Sequence, residues 1–180
     1  MPDQNSINGV ALDALRRRIV KVLPDQIRTC IEELSEEQLW WRPNEQSNSV
    51  GNLVLHVSGS MQHYLCRAVG GFAYERDRPA EFSERTPIHK QQLLAIFEAT
   101  IAKAALTFDA LDPARLAEPS TEPSFNSIVF EDLLGVAVHL ATHTGQIVFI
   151  TKMLKAGALD EIWMKAHTEA GAWKGSQSKR

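Results

Sequence analysis

The stretch 131-EDLLGVAVHLATHTGQIVFITKML-154 decides how this chain is read. Its apolar residues Val136, Leu140, Ile147, Ile150 and Leu154 recur at helical spacing, which predicts a helix over 131–155 with Gly157 as its C-cap. Counting about 100° per residue, His143 falls inside the apolar face and His139 at its edge. The two imidazoles are thus i and i+4 on one helix, with Cβ atoms about 5–6 Å apart. That separation lets both rings reach one ion at Zn–N distances of about 2.0–2.1 Å. Inward-facing imidazoles need partners, because an unpaired buried polar group is costly. Core histidines bonded to backbone or water satisfy that need as a metal does, so the pair alone leaves both readings open. Gln146, one turn beyond His143, is either a polar residue at the helix edge or a partner that orients a ring or a bound water.

Working outward, three more helices are expected. The first runs over 8–34 with a kink or restart at Pro24, which lacks an amide donor and clashes with the preceding turn. Ser35 to Gln38 reads as a capping box for a short helical turn. Pro43 and the polar run 44–49 form a loop ending in the N-cap residues Asn48 and Ser49. The second helix covers 50–69 and stops at Gly70-Gly71. FAYERDRPAEFSERTP (72–87) is read as an ordered loop. Thr86-Pro87 opens the third helix, which reaches Leu111 with Leu93, Leu94, Ile96, Phe97, Ile101, Ala104, Ala105 and Phe108 on its buried side. Residues 113–129 are a long crossover, with an extended piece around 125–130. The expected architecture is all-α: a four-helix bundle with long crossover connections, in a single domain over 1–165 followed by a polar tail over 166–180.

With 180 residues, 44% apolar and 23% charged, the composition is that of an ordinary globular protein with a substantial core. A net charge of −3 leaves no basic footprint for nucleic acid and no polybasic membrane patch. No uninterrupted apolar run reaches the roughly 18 residues of a membrane span, and the N-terminal segment has its basic residues after its apolar ones, the reverse of a secretory signal. A cytoplasmic protein is the expectation. Cys30 and Cys66 form neither a C-x-x-C motif nor a disulfide framework and are read as reduced, part-buried thiols.

A third imidazole would complete an open metal site of the catalytic type. His56, in the apolar segment NLVLHVSGS, is the best candidate, although it lies beside the main stripe of its helix, on the side shared with Asn52, Gly59 and His63. Packing on two sides would remove that objection. His63 is the competitor; His89 and His167 fall in polar surroundings. Arg42, Arg76 and Arg78 could grip a carboxylate, since guanidinium recognises that group bidentately. A surface ion-pair network with Glu75, Asp77 and Glu81 is the ordinary role, expected for at least two of the three. Trp40 and Trp41 could wall a pocket, one of them more simply as a core residue.

NLVLH in one helix and HLATHTGQI in the last resemble the DinB/YfiT-like superfamily of proposed metalloenzymes. WWRPNEQSNSVGNLVLH, the Gly70-Gly71 stop and the RDRPAEF loop resemble one branch of it, known only as a family of unknown function. The resemblance covers roughly 12–154. It implies a four-helix bundle of unusual connectivity, a divalent ion (zinc, nickel or iron) on His56, His139 and His143, and frequent dimers. It also implies transfer or isomerisation of low-molecular-weight thiols in better-studied relatives. Asn52, Gln146 and the three arginines are then candidates to orient the ligands or hold a small-molecule substrate. The expected function is a metal-dependent, thiol S-transferase-like enzyme. A metal-dependent hydrolase, a non-catalytic metal- or ligand-binding bundle, and a helical protein that dimerises without metal are the alternatives.

Overall fold

The computed structural model describes residues 6–83, 88–120 and 126–156, and these are helical almost throughout. The last helix expected from the sequence stands as α7, Val129–Leu154. The expected tail 166–180, with Gly157 and His167, lies outside the described residues.

The first long rod begins at Ser6, whose hydroxyl accepts from the Gly9 amide and caps α1, Ile7–Arg16. It continues as a π-helical segment, Arg17–Val22, into α2, Leu23–Glu33. The disturbance expected at Pro24 is therefore taken up just before it. Pro24 can neither donate to the preceding turn nor tolerate its carbonyl closely, and the widened turn, with Leu23 N–H reaching the Arg18 carbonyl, makes room. α3, Glu36–Trp40, carries the full Ser35/Gln38 capping box. α4, Val50–Met61, is capped by Ser49 and continues as a second π-helical segment, Gln62–Arg67. The chain turns at Gly71, whose φ of +72° is left-handed backbone that glycine adopts without strain.

Three expectations are corrected downstream. The supposed loop 72–87 contains a short helix, α5, Arg78–Ser83, started by Asp77, whose Oδ1 accepts from the Ala80 amide at 3.1 Å, with Pro79 in its first turn. α6, Lys90–Ala110, starts behind His89 rather than at Thr86-Pro87, a pair outside the described residues. Its cap comes from elsewhere in the chain: Glu36 Oε1 accepts from the Lys90 amide at 3.2 Å. The extended piece around 125–130 shrinks to a single bridge between Pro119 and Ile128, since Val129 and Phe130 already belong to α7. A 3-10 turn, Pro113–Ala117, precedes that bridge.

The rod α1–α2 packs on α6 and α7, α4 also packs on α6 and α7, and α5 lies on α4. Leu93, Phe97 and Ala104 of the predicted α6 stripe are fully buried, whereas Leu94, Ile96 and Ala105 are half-buried. α4 is the most enclosed helix: every residue is buried except Leu55. By length and composition α7 would qualify as a membrane span, with a mean hydropathy of 1.5 over its best 18 residues. Counting uninterrupted apolar residues missed this because His139, Thr142, His143, Thr144 and Gln146 break the run. α7 packs here on α2 and α4.

Candidate metal centre

α4 and α7 carry the three histidines to one point. His56 is buried at 5% exposure, because its helix is covered by α5 as well as by α6 and α7. That packing removes the objection that His56 lay beside the apolar stripe. His139 and His143 are half-buried, so His143 is no deeper than its neighbour. His56 Nε2 lies 2.9 Å from His139 Nε2, which lies 3.1 Å from His143 Nε2. One ligand nitrogen from each ring falls within 4.8 Å of the others, a set that could hold a metal ion.

The protons on these rings support that reading. His56 Nδ1 faces Glu81 Oε2 at 2.8 Å, and His143 Nδ1 faces Gln146 Oε1 at 2.7 Å. An N–H on Nδ1 satisfies each of these acceptors, and in the neutral tautomer that carries it Nε2 keeps a lone pair. His139 Nε2 has a single position for a proton and two such lone pairs beside it. In these tautomers one close nitrogen–nitrogen contact stays without a hydrogen, and a cation at the meeting point would satisfy all three nitrogens together. Two of the rings, His139 and His143, are also shifted toward the neutral form that a metal requires. Burial pushes His139 down to about 4, helped by the charges of His143, His56 and Arg76. Burial and His56 push His143 down against the opposing pull of Gln146.

Glu81 is the residue that sequence reasoning placed wrongly. The sequence puts it in a surface ion-pair network, yet it is 7% exposed and sits behind His56. Arg76 donates to both of its oxygens, Nε to Oε1 at 2.7 Å and Nη2 to Oε2 at 2.9 Å. Burial pulls the Glu81 carboxyl upward, but the hydrogen bonds from His56 and Arg76 outweigh it and hold the group below its usual range. Two features let the carboxylate reach this position. A Cβ on Gly59 would stand 2.1 Å from Glu81 Oε1, so only glycine leaves space there. Asn52, whose Oδ1 accepts from the Ser49 amide and hydroxyl, donates through Nδ2 to the Glu81 carbonyl at 3.1 Å. The one available signal was Asp77 followed by Pro79, a helix start that fixes where Glu81 falls.

The other candidates separate clearly. Arg76 is the ion-pair partner of Glu81, and its guanidinium also lies 5.8 Å from the Tyr64 ring. Arg78 stacks over Phe82 at 5.2 Å, and Phe82 in turn packs on the His56 ring at 4.5 Å. Arg78 therefore reaches the site through this stacking. His63 stacks edge-on against Tyr64 and stays outside the cluster, and His89 is an exposed helix cap near Glu36. Trp40 is core, its Nε1 donating to the Ile88 carbonyl at 3.2 Å. Cys30 and Cys66 are buried, and burial raises both thiols to about 11.

A cavity of about 650 Å³ opens beside His56 and His139 and is lined by Ser60, Tyr64, Arg76, Arg78, Glu131 and Asp132, among others. Asp132 Oδ1 accepts from Ser127 at 2.6 Å, and its Oδ2 is shielded from solvent without a hydrogen-bond partner. A small polar molecule would fit there next to the three nitrogens.

Among curated proteins no match was found. A family model matches residues 9–166, which include all three histidines, Glu81 and Gln146, and on that match the chain belongs to the family described as "Protein of unknown function (DUF1572)".

Proposed function

We propose that His56, His139 and His143 hold a divalent ion, zinc, nickel or iron, and that the chain is a metal-dependent enzyme acting on a small molecule in the adjacent cavity. The observation that carries this is the meeting of three imidazole nitrogens at one point between α4 and α7. The packing of the α1–α2 rod, α4, α6 and α7, with α5 and the crossover between them, supports reading the fold as a four-helix bundle of the DinB/YfiT-like type. The family match to 9–166 supports one domain over 1–165. Thiol S-transferase-like chemistry is the preferred reaction, on the strength of the sequence resemblance.

A divalent ion held there supplies positive charge that stabilises an anionic nucleophile, thiolate or hydroxide, near neutral pH. The chain's own residues prepare the site. Glu81 fixes His56 in the tautomer with Nδ1 protonated, and Gln146 does the same for His143. Arg76 keeps Glu81 ionised. Phe82 covers the His56 ring, and Arg78, exposed above it, offers a guanidinium to an anionic group on the substrate.

One observation favours hydrolysis as a second reading. Glu81 has both oxygens engaged and is no base, but Asp132 has an oxygen without a partner and lines the same cavity as His56 and His139. Metal analysis of untagged protein beside His56→Ala and His139→Ala comes first. A stoichiometric ion, lost from both variants while they stay folded, supports the site; no ion in the native protein overturns it. The loaded protein is then assayed with thiols plus electrophiles, and with esters and amides. Hydrolysis without thiol turnover, abolished by Asp132→Asn, overturns the transferase reading in favour of the second.

A further inference from the structure

The cavity beside His56 and His139 carries charge of both signs. Arg76 and Arg78, at the entry to α5, bring the positive side; Glu131 and Asp132, in the first turns of α7, bring the negative side. Each has to be set against its ordinary role. Arg76 is spent on Glu81, to which it donates twice. Arg78 is exposed and lies over the Phe82 ring at 5.2 Å, a contact that holds its guanidinium at the cavity.

Carboxylates at the start of a helix ordinarily serve the macrodipole and the cap. That accounts for Glu131, whose Oε2 accepts from the Ile128 amide at 3.1 Å. It does not account for Asp132. Its Oδ1 accepts from the Ser127 hydroxyl at 2.6 Å, while its Oδ2 is sheltered from solvent with no donor among the described residues. A carboxylate oxygen in that state is costly until a donor reaches it. The terminal torsion of an aspartate is soft and two-fold, so the group can turn that oxygen toward the cavity it lines. Gly135, one turn further along α7, lines the same cavity, and no heavy atom of the described residues lies within 4 Å of where its Cβ would be. The space next to Asp132 therefore stays open.

We infer that the cavity takes a small dipolar molecule, one carrying both an ammonium and a carboxylate, with the ammonium on Asp132 and the carboxylate on Arg78. A third group then faces the histidines, and only for that contact does the inference rest on the proposed metal centre. An ammonium is a donor-only group with a full charge, and its hydrogen bonds to a carboxylate are about twice as strong as neutral ones. Arg78 answers the other pole, since guanidinium recognises carboxylates. A volume of about 650 Å³ admits a molecule from the size of an amino acid to that of a short peptide. Charges of opposite sign on two different elements also fix orientation, because a reversed molecule would set like charges together.

Isothermal titration calorimetry of metal-loaded protein with L-cysteine, N-acetyl-L-cysteine and L-cysteine methyl ester tests this. All three carry the thiol; the second lacks the ammonium and the third lacks the carboxylate. L-Cysteine should bind about ten-fold tighter than either derivative. Its advantage over N-acetyl-L-cysteine should vanish in Asp132→Asn, and its advantage over the methyl ester in Arg78→Gln, with metal content unchanged in both. Preferences that survive these substitutions belong to chelation by the ion and overturn the proposal, as does the absence of any preference. Protein that takes up no metal refutes the metal centre instead, and the titrations are then made with L-serine, N-acetyl-L-serine and L-serine methyl ester. Preferences lost in the two variants still support the dipolar ligand there, and their absence overturns it. Because binding is read without turnover, an ammonium anchor is told apart from the base of the hydrolytic reading, whose loss would leave these affinities as they were.

Discussion

His56 and the His139–His143 pair present the same atoms to the same point by different means. His56 sits on the most enclosed helix of the chain, and behind it stands a buried Glu81 held by Arg76. His139 and His143 sit half-buried on α7 and owe their alignment to the i, i+4 spacing plus one exposed glutamine. One nitrogen is clamped by a network brought together from distant parts of the chain; two are placed by helix geometry and one neighbouring glutamine. The lesson is that a clamped ligand depends on residues far from it in sequence, whereas a geometric pair tolerates changes around it.

The strongest way to break the comparison is to remove a ligand from either side. His56→Ala and His139→Ala should each abolish tight metal binding, measured by metal content after dialysis. Next in size is Arg76→Met. It strands the Glu81 carboxylate, 8% exposed, without its cation, and breaking a buried pair this way costs about 3–5 kcal/mol, read from urea unfolding. Glu81→Gln and Gly59→Ala should leave the three rings present but release His56. Loss of such a supporting partner costs about 10–100-fold in metal affinity, measured by chelator competition. Gln146→Ala removes a solvent-exposed partner from the geometric pair, and only a few-fold weakening is expected. If Gln146→Ala equalled Glu81→Gln, the contrast between the two sides would be wrong. The smallest effect is expected from Cys30→Ser and Cys66→Ser. Their burial keeps both groups as thiols at neutral pH, so the native chain should react with Ellman's reagent only once denaturant opens it, and metal content should not change.

The same contrast explains what could be read from the sequence. The His139–His143 pair and Gln146 were legible because helical spacing is local, and the caps at Ser35 and Ser49 and the stop at Gly71 were legible for the same reason. His56 was legible as a candidate but looked misplaced, since a hydrophobic stripe says nothing about a helix buried on every side. The start of α6 was misread because its amide is capped by Glu36, 54 residues earlier. The charge density of 72–87 reads as surface and hides that α5 folds one carboxylate, Glu81, inward. Arg76 and Arg78 were grouped together, although a single turn of chain separates a buried ion-pair partner from a side chain that lies over a ring.

Asn52 joins two events that are otherwise separate. Its Oδ1 completes the start of α4, and its Nδ2 holds the Glu81 carbonyl of a six-residue helix. α5 rests on α4 through this polar contact, the carboxylate seated against Gly59 and the Phe82 ring on His56, and Glu81 is its only buried residue. Elements of that kind open locally at far lower free energy than the whole fold. Lifting α5 would free Nδ1 of His56 while α4, α6 and α7 stayed packed. The rate at which an ion enters or leaves would then be set by this small helix as a latch, and amide exchange over 78–83 would keep pace with metal exchange while the rods stayed protected.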